Sequence, residues 1–334
     1  MIERTEKRRL TDIDQCKGLA IFLVIVGHIL PSASWLWANW FLWLNHTIYQ
    51  FHMPFFMFLS GLVTLYTYRP LRSWEDYTSY ASRRFRRFLP GYVFFALLTS
   101  IGKFVLARHV YVERPPDNLL NDWVRFAVRP LESSATNLWY IYVLIAYAAI
   151  LPPLLSLARN NPVSLLPVAF VAHFVPLPDL FLLPQIAEYS FVFLLGGVVV
   201  RDYDRFVRHV DRWWRLWATV FLTLCVAWPF LQAPPVPAKF VIGMVSIPTL
   251  VGVVRCCWLR SGFLAMLGRY TYPIYLVNML AIGGSKAIIF KFTSWDGARF
   301  LVVGPVLVCA GLLVPVVAKK YVFSRIPWLD RITT

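Results

Sequence analysis

The chain has 334 residues, of which 58% are apolar and only 15% charged, against about 25% charged in ordinary soluble domains. That excludes a water-soluble globular domain, and the hydrophobicity excludes a disordered chain. A transmembrane helix takes about 20 residues, so the apolar residues allow roughly ten spans and leave only short loops, with no room for a second soluble domain. An outer-membrane barrel would need segments of about 10 residues alternating in and out, whereas residues 92–98 and 301–317 are apolar all round. The expected fold is therefore an all-α polytopic membrane protein forming one integral-membrane domain over 1–334.

In chain order, apolar segments fall at 18–40, 49–67, 89–107, 136–157, 162–177, 186–200, 214–232, 238–254, 262–288 and 299–318. The fifth and sixth are short and interrupted by Pro176, Pro178 and Pro184, so a shallow hairpin is an alternative there to two full crossings. The net charge of +16 invites a nucleic-acid partner, but its distribution removes the need for one. With ten spans, the loop set that includes both termini holds 24 of the 33 Lys and Arg with 10 carboxylates, and the other set holds 9 with 7. Basic residues concentrate in short cytoplasmic loops, which places both termini in the cytoplasm, where the clusters also suit anionic lipid headgroups. The five cysteines are odd in number and lie on or beside apolar runs, so they read as free thiols. Residues 1–34 imitate a signal peptide with Ser32-Ala33-Ser34 as cleavage site; cleavage is not expected, because the polar residues inside that stretch carry chemistry.

On the first span, Lys17 and His28 are 11 residues apart, about 16 Å along a helix. Lys17 is expected at the inner surface, either as a snorkelling helix end or as a ligand contact, and His28 near mid-membrane. Ionisable groups at that depth face a protein interior or a water-filled cavity. The second span runs back inward, and His52 on it lies about 24 Å above the inner surface, within about 8 Å of His28 along the normal. Two histidines at matched depth suit proton-transfer chemistry. Without a third ligand they fall short of the usual zinc set, and no metal is expected. The run Arg83-Arg84-Phe85-Arg86-Arg87, on the same side as Lys17, reads either as topology signal or as a phosphate clamp of bidentate guanidinium groups. Trp139 and Tyr140 at the outer end of the fourth span and Glu188 in the sixth are candidates for substrate contact. Trp139 and the tryptophans at 35–43 also suit an interfacial aromatic belt.

Taken together these residues resemble the acyltransferase-3 family of bacterial membrane-bound O-acyltransferases, which modify surface glycans. The resemblance rests on Asp14, Lys17 and His28, where the family more often has Arg at the basic position. It extends through the blocks at 51–61 and 83–90, Leu138-Trp139-Tyr140, residues 193–197, and Leu267-Gly268 with Tyr272, Ile274, Tyr275 and Leu276, in the same order over nearly the whole chain. At Asn278 many relatives carry His. The extra extracytoplasmic hydrolase-like domain of some members is not expected here.

The resemblance implies transfer of an acyl group, usually acetyl with succinyl as the alternative, from cytoplasmic acyl-CoA to a sugar hydroxyl on the far side of the bacterial inner membrane. His28 and His52 would then be catalytic, and Lys17, Arg83, Arg84, Arg86 and Arg87 would hold acetyl-CoA. Trp139, Tyr140 and Glu188 would meet a lipid-linked or polymeric glycan such as an exopolysaccharide unit or O-antigen. A transporter or flippase of a lipid-linked saccharide is a competing class, without the internal repeat common to such proteins. A glycosyltransferase fits less well, because the Asp12/Asp14 and Asp202/Asp204 pairs fall on the cytoplasmic side.

Overall fold

The computed structural model describes residues 11–29, 39–110, 112–227, 236–256, 261–293 and 299–334. The Ser32–Ser34 stretch, Trp35, Trp37 and Cys257 lie outside them. Thirteen α-helices and no strand occur among the described residues. Seven helical segments there are long and apolar enough to cross a membrane, which makes the protein an all-α polytopic membrane protein. One of the seven, Leu183–Ala227, joins the expected sixth and seventh segments end to end.

The expected first segment folds as α1, Thr11–His28, and the second as α2, Asn39–Thr67. α1 starts earlier than expected and stops at His28. Its end lies alongside the first half of α2, since the Gly27 carbonyl accepts a hydrogen bond from Asn45 Nδ2 (2.7 Å). The last carbonyls of a helix lack intrahelical partners, and this buried amide supplies one where water cannot.

α3, Trp74–Leu106, is capped by Ser73, whose hydroxyl accepts from the Asp76 amide (3.1 Å), with Glu75 and Asp76 in its first turn. The cap lies well before residue 89, so the arginine run sits inside a helix and not at its entrance. α4, Leu119–Val128, belongs to the connection after α3. Buried Asp122 on α4 accepts from Ser100 Oγ (2.5 Å) and from the Ser134 amide and hydroxyl (2.8 and 2.5 Å), and Lys103 donates to the Ser134 carbonyl (2.8 Å). A carboxylate removed from water needs such donors, and here they pin the connection to α3. α5, Trp139–Leu157, follows a short 3-10 turn.

α6, Leu166–Phe174, and α7, Leu183–Val199, form a hairpin. Arg201 bonds Asn160 and Asn161 at one end, and His173 bonds Glu188 at the other. α7 continues through a 3-10 turn into α8, Tyr203–Ala227, followed by α9, Val236–Cys256. The expected ninth span is broken at Tyr270 into α10, Gly262–Arg269, and α11, Thr271–Ile289. α12, Phe300–Tyr321, and α13, Pro327–Ile332, complete the chain.

Lipid tails are as apolar as leucine, so helices in a membrane associate through close backbone approach at small residues. Two such crossings position α1 and α2. A Cβ on Gly18 would lie 2.0 Å from the Leu264 carbonyl oxygen, and one on Gly268 would lie 1.8 Å from that of Asp14, which fixes α1 against α10. A Cβ on Gly61 would meet the Phe193 oxygen at 1.8 Å and one on Gly196 the Phe58 oxygen at 2.2 Å, which fixes α2 against α7. Gly61→Ala should therefore cost about 1–3 kcal/mol or more through overpacking. Gly102→Ala, where a Cβ meets nothing within 4 Å, should be neutral or slightly stabilising, since Ala is the better helix former. Thermal denaturation in detergent checks both, and equal midpoints for the two variants would refute the crossing. Fully buried Phe55, Phe58, Ile21, Ile25 and Phe193 surround these crossings.

Candidate functional site

One end of the bundle carries the cationic candidates. Lys17, in the second turn of α1, lies 3.6 Å from Asp14. One face of α3 presents Arg84, which donates to Thr67 Oγ1 at the end of α2 (3.2 Å) and lies over the Tyr80 ring, and Arg87, which donates to the Thr334 main-chain oxygen (3.2 Å) and lies over Phe88. Arg83 and Arg86 are exposed, and Arg83 donates to Ser79 of its own helix (2.5 Å). These bonds of Arg83, Arg84 and Arg87 end on neutral oxygens, so they do not cancel the guanidinium charge. The corner between α10 and α11 joins the two groups, with Gly268 against Asp14 and the Tyr272 hydroxyl donating to the carbonyls of Arg87 and Phe88 (both 3.4 Å). The Leu267–Leu276 block thus acts as a spacer that brings α1 and α3 to one end.

A second network at this end ties α1 to α8 and α9. Arg255 donates to both oxygens of Asp211 (2.9 and 2.8 Å) and to Asp12 Oδ2, which also accepts from the Tyr203 hydroxyl (2.8 Å). A bidentate Arg–carboxylate pair has fixed geometry as well as strength, so the network holds the start of α1 in place.

The histidines lie at mid-bundle, deeper than either end of α2. Tyr49 packs against Gly27 and edge-on against the His52 ring (centroids 4.9 Å apart). This sets the end of α1 within one helical turn of His52, as the matched depths require, and the two imidazoles are within electrostatic range of each other. His52 is buried, and its Nδ1 lies 2.7 Å from the Ile48 carbonyl. A carbonyl only accepts, so Nδ1 carries the proton, and in the neutral ring Nε2 is left with a lone pair. That is the tautomer a proton acceptor needs. His28 is half-buried. Glu113, from the connection after α3, and Lys286 of α11 lie within electrostatic range of its ring.

Tyr140 and Trp139 part company. Tyr140 is buried, stacks on Phe56 (4.7 Å, 10°), and bonds through its hydroxyl to Ser60; Tyr275 packs beside it (5.1 Å) and donates to the Asn137 carbonyl (2.5 Å). These contacts make Tyr140 a strut joining α2, α5 and α11. Trp139 is half-buried and lies 5.4 Å from the Tyr189 ring. Its neighbour in sequence along α7, Glu188, makes an ion pair with Lys239 of α9 (3.0 Å), and Lys239 in turn is within electrostatic range of His52. A cleft of about 280 Å³ opens beside this pair, lined by Pro54, His173, Tyr189, Phe240 and Met244 among others.

Sequence reasoning missed Lys239, His173, Lys286 and Glu113. Three of the four stand in or beside apolar runs, and the rule that singled out His28, that an ionisable group within the membrane needs a partner or a cavity, applies equally to them. The arrangement separates anion-binding groups at one end from proton-accepting groups at mid-bundle. Comparison with curated proteins and with solved structures finds no match. The sequence pattern of the acyltransferase-3 family, an acyltransferase domain, matches residues 10–319, and the chain belongs to that family of membrane acyltransferases.

Proposed function

We propose that the protein moves an acyl group, acetyl in the first instance, from cytoplasmic acyl-CoA to a hydroxyl of a surface or exported polysaccharide on the periplasmic side of the bacterial inner membrane. The observation that carries this reading is the placement of Lys17 and His28 about 16 Å apart on one helix, with Arg84 and Arg87 beside the first end and His52 beside the second. The basic end, cytoplasmic by the distribution of Lys and Arg, suits the phosphates of the coenzyme. Its thin pantetheine arm then reaches along α1 toward the histidines. There the acceptor hydroxyl gives its proton to a histidine nitrogen as its oxygen bonds to the thioester carbonyl. The carbon–sulfur bond breaks as the tetrahedral intermediate collapses, and the departing thiolate takes up a proton. In this scheme His28, the more exposed of the two, is the base, and His52 orients it or the acceptor.

The test is incubation of purified, reconstituted protein with radiolabelled acetyl-CoA and a glycan acceptor. Label in the glycan supports the reading, and equal label from protein lacking both histidines would remove it. His52→Ala should retain measurable activity if it only orients. A complete loss, with donor binding intact, would exchange the two roles.

A further inference from the structure

We propose that the cleft between α2, α6, α7 and α9 is the acceptor subsite, and that it takes a single uncharged sugar ring. The proposal rests on the acyl-transfer reading for its place in the reaction, but the recognition chemistry comes from the cleft itself.

Three features select the ligand class. The first is charge. Glu188 and Lys239 are both partly exposed and paired at 3.0 Å, so the wall they form offers two carboxylate acceptors and an ammonium donor with no net charge. A sugar hydroxyl both donates and accepts, and can bridge the two. A carboxylate or phosphate on the ligand would be repelled by Glu188 and would have to break the pair to reach Lys239. The second is the histidine. His173 Nδ1 donates to the Glu188 carbonyl (2.6 Å), which leaves Nε2 of the neutral ring as a further acceptor on the cleft wall. The third is shape. The remaining lining, including Pro54, Tyr189, Phe240 and Met244, is apolar or aromatic and suits the C–H face of a pyranose. The volume of about 280 Å³ lies at the low end of the usual range for small-molecule sites, about 300–1,000 Å³, which fits one ring and not an oligosaccharide.

The position fits as well. Pro54 has no N–H, so the Gln50 carbonyl has no intrahelical partner four residues on, and Gly243 of α9 lets that helix approach α2 there: a Cβ on Gly243 would lie 2.9 Å from Pro54 Cγ. The cleft therefore opens half a helical turn from His52, and a ring seated in it can present a hydroxyl toward the histidine pair.

The experiment uses full-length protein in nanodiscs with methyl hexopyranosides as neutral probes and methyl hexuronides as anionic ones. Binding is followed by saturation-transfer NMR, and acetyl transfer by label from acetyl-CoA. Glu188→Gln and Lys239→Gln should each raise the KM for the methyl hexopyranoside at least tenfold, with donor KM unchanged and kcat within about threefold. The exchange of charges, E188K with K239E, should restore thermal stability but not acceptor KM. Met244→Trp, which fills the cleft without touching the ion pair, should weaken hexopyranoside binding equally and guards against variants that fail to fold. Unchanged acceptor KM in the single variants, recovery of KM together with stability in the exchanged pair, or tighter binding of the hexuronide would each overturn the proposal. Hexopyranoside binding that is lost in Met244→Trp, from a protein that transfers no acetyl, would support the subsite and remove the acyl-transfer reading instead.

Discussion

His28→Ala is expected to lower acyl transfer by about 10²–10⁴-fold, the usual contribution of a positioned proton acceptor, while leaving the protein folded and donor binding nearly unchanged. The expectation of intact folding comes from the local structure. His28 ends α1 and is half-buried, whereas the contacts that hold this helix end come from neighbouring positions: the Gly27 carbonyl on Asn45 and the face of Gly27 on Tyr49. Removing the ring therefore leaves the helix anchored. The decisive measurements are turnover with saturating acetyl-CoA, coenzyme binding, and the thermal midpoint of the purified variant. Activity above about a tenth of wild type would contradict the base role. A fall in midpoint matching that of Gly61→Ala would show that the ring supports the fold.

The second large effect is expected at the donor end, where Arg84→Gln with Arg87→Gln should raise donor KM by about tenfold or more and reduce the salt sensitivity of binding. Charge-assisted bonds to phosphate contribute about 1.5–3 kcal/mol each, and bonds to exposed ions weaken with ionic strength. The geometry separates this pair from Arg83 and Arg86. Arg84 and Arg87 occupy the face of α3 that meets the end of α2, Thr334 and the corner at Tyr272, whereas Arg83 and Arg86 are exposed. Arg83→Gln with Arg86→Gln should thus change insertion or yield more than KM. Coenzyme A titration of both double variants checks this. Equal affinity in the two would leave the whole run a topology signal, and a loss confined to Arg83/Arg86 would place the clamp on the other face.

What the sequence determined by itself follows from local physics. Apolar runs of about 20 residues become helices because a lipid-facing backbone must satisfy its own hydrogen bonds, so residues 136–157 fold as expected, as Thr136–Leu157. The rise per residue is fixed, so the matched depth of His28 and His52 was legible from residue counts alone. The early start of α3 and the length of α8 were not, because both begin in charged segments that hydropathy passes over: Ser73 caps α3, and α8 enters as Tyr203-Asp204-Arg205 from a 3-10 turn. Helix facing and inter-helix partners were likewise beyond reach. Tyr140 read as a substrate contact until its stack on Phe56 and its bond to Ser60 showed it joining two helices. Glu188 was visible, but its partner Lys239 lies 51 residues away on another helix, and His173 reaches it only because α6 and α7 fold back on each other. Local sequence sets which segments cross and how deep a residue lies. Which face a residue presents, and to whom, depends on close backbone contacts such as Gly61 on Phe193 and Gly268 on Asp14, and those exist only once distant helices have packed.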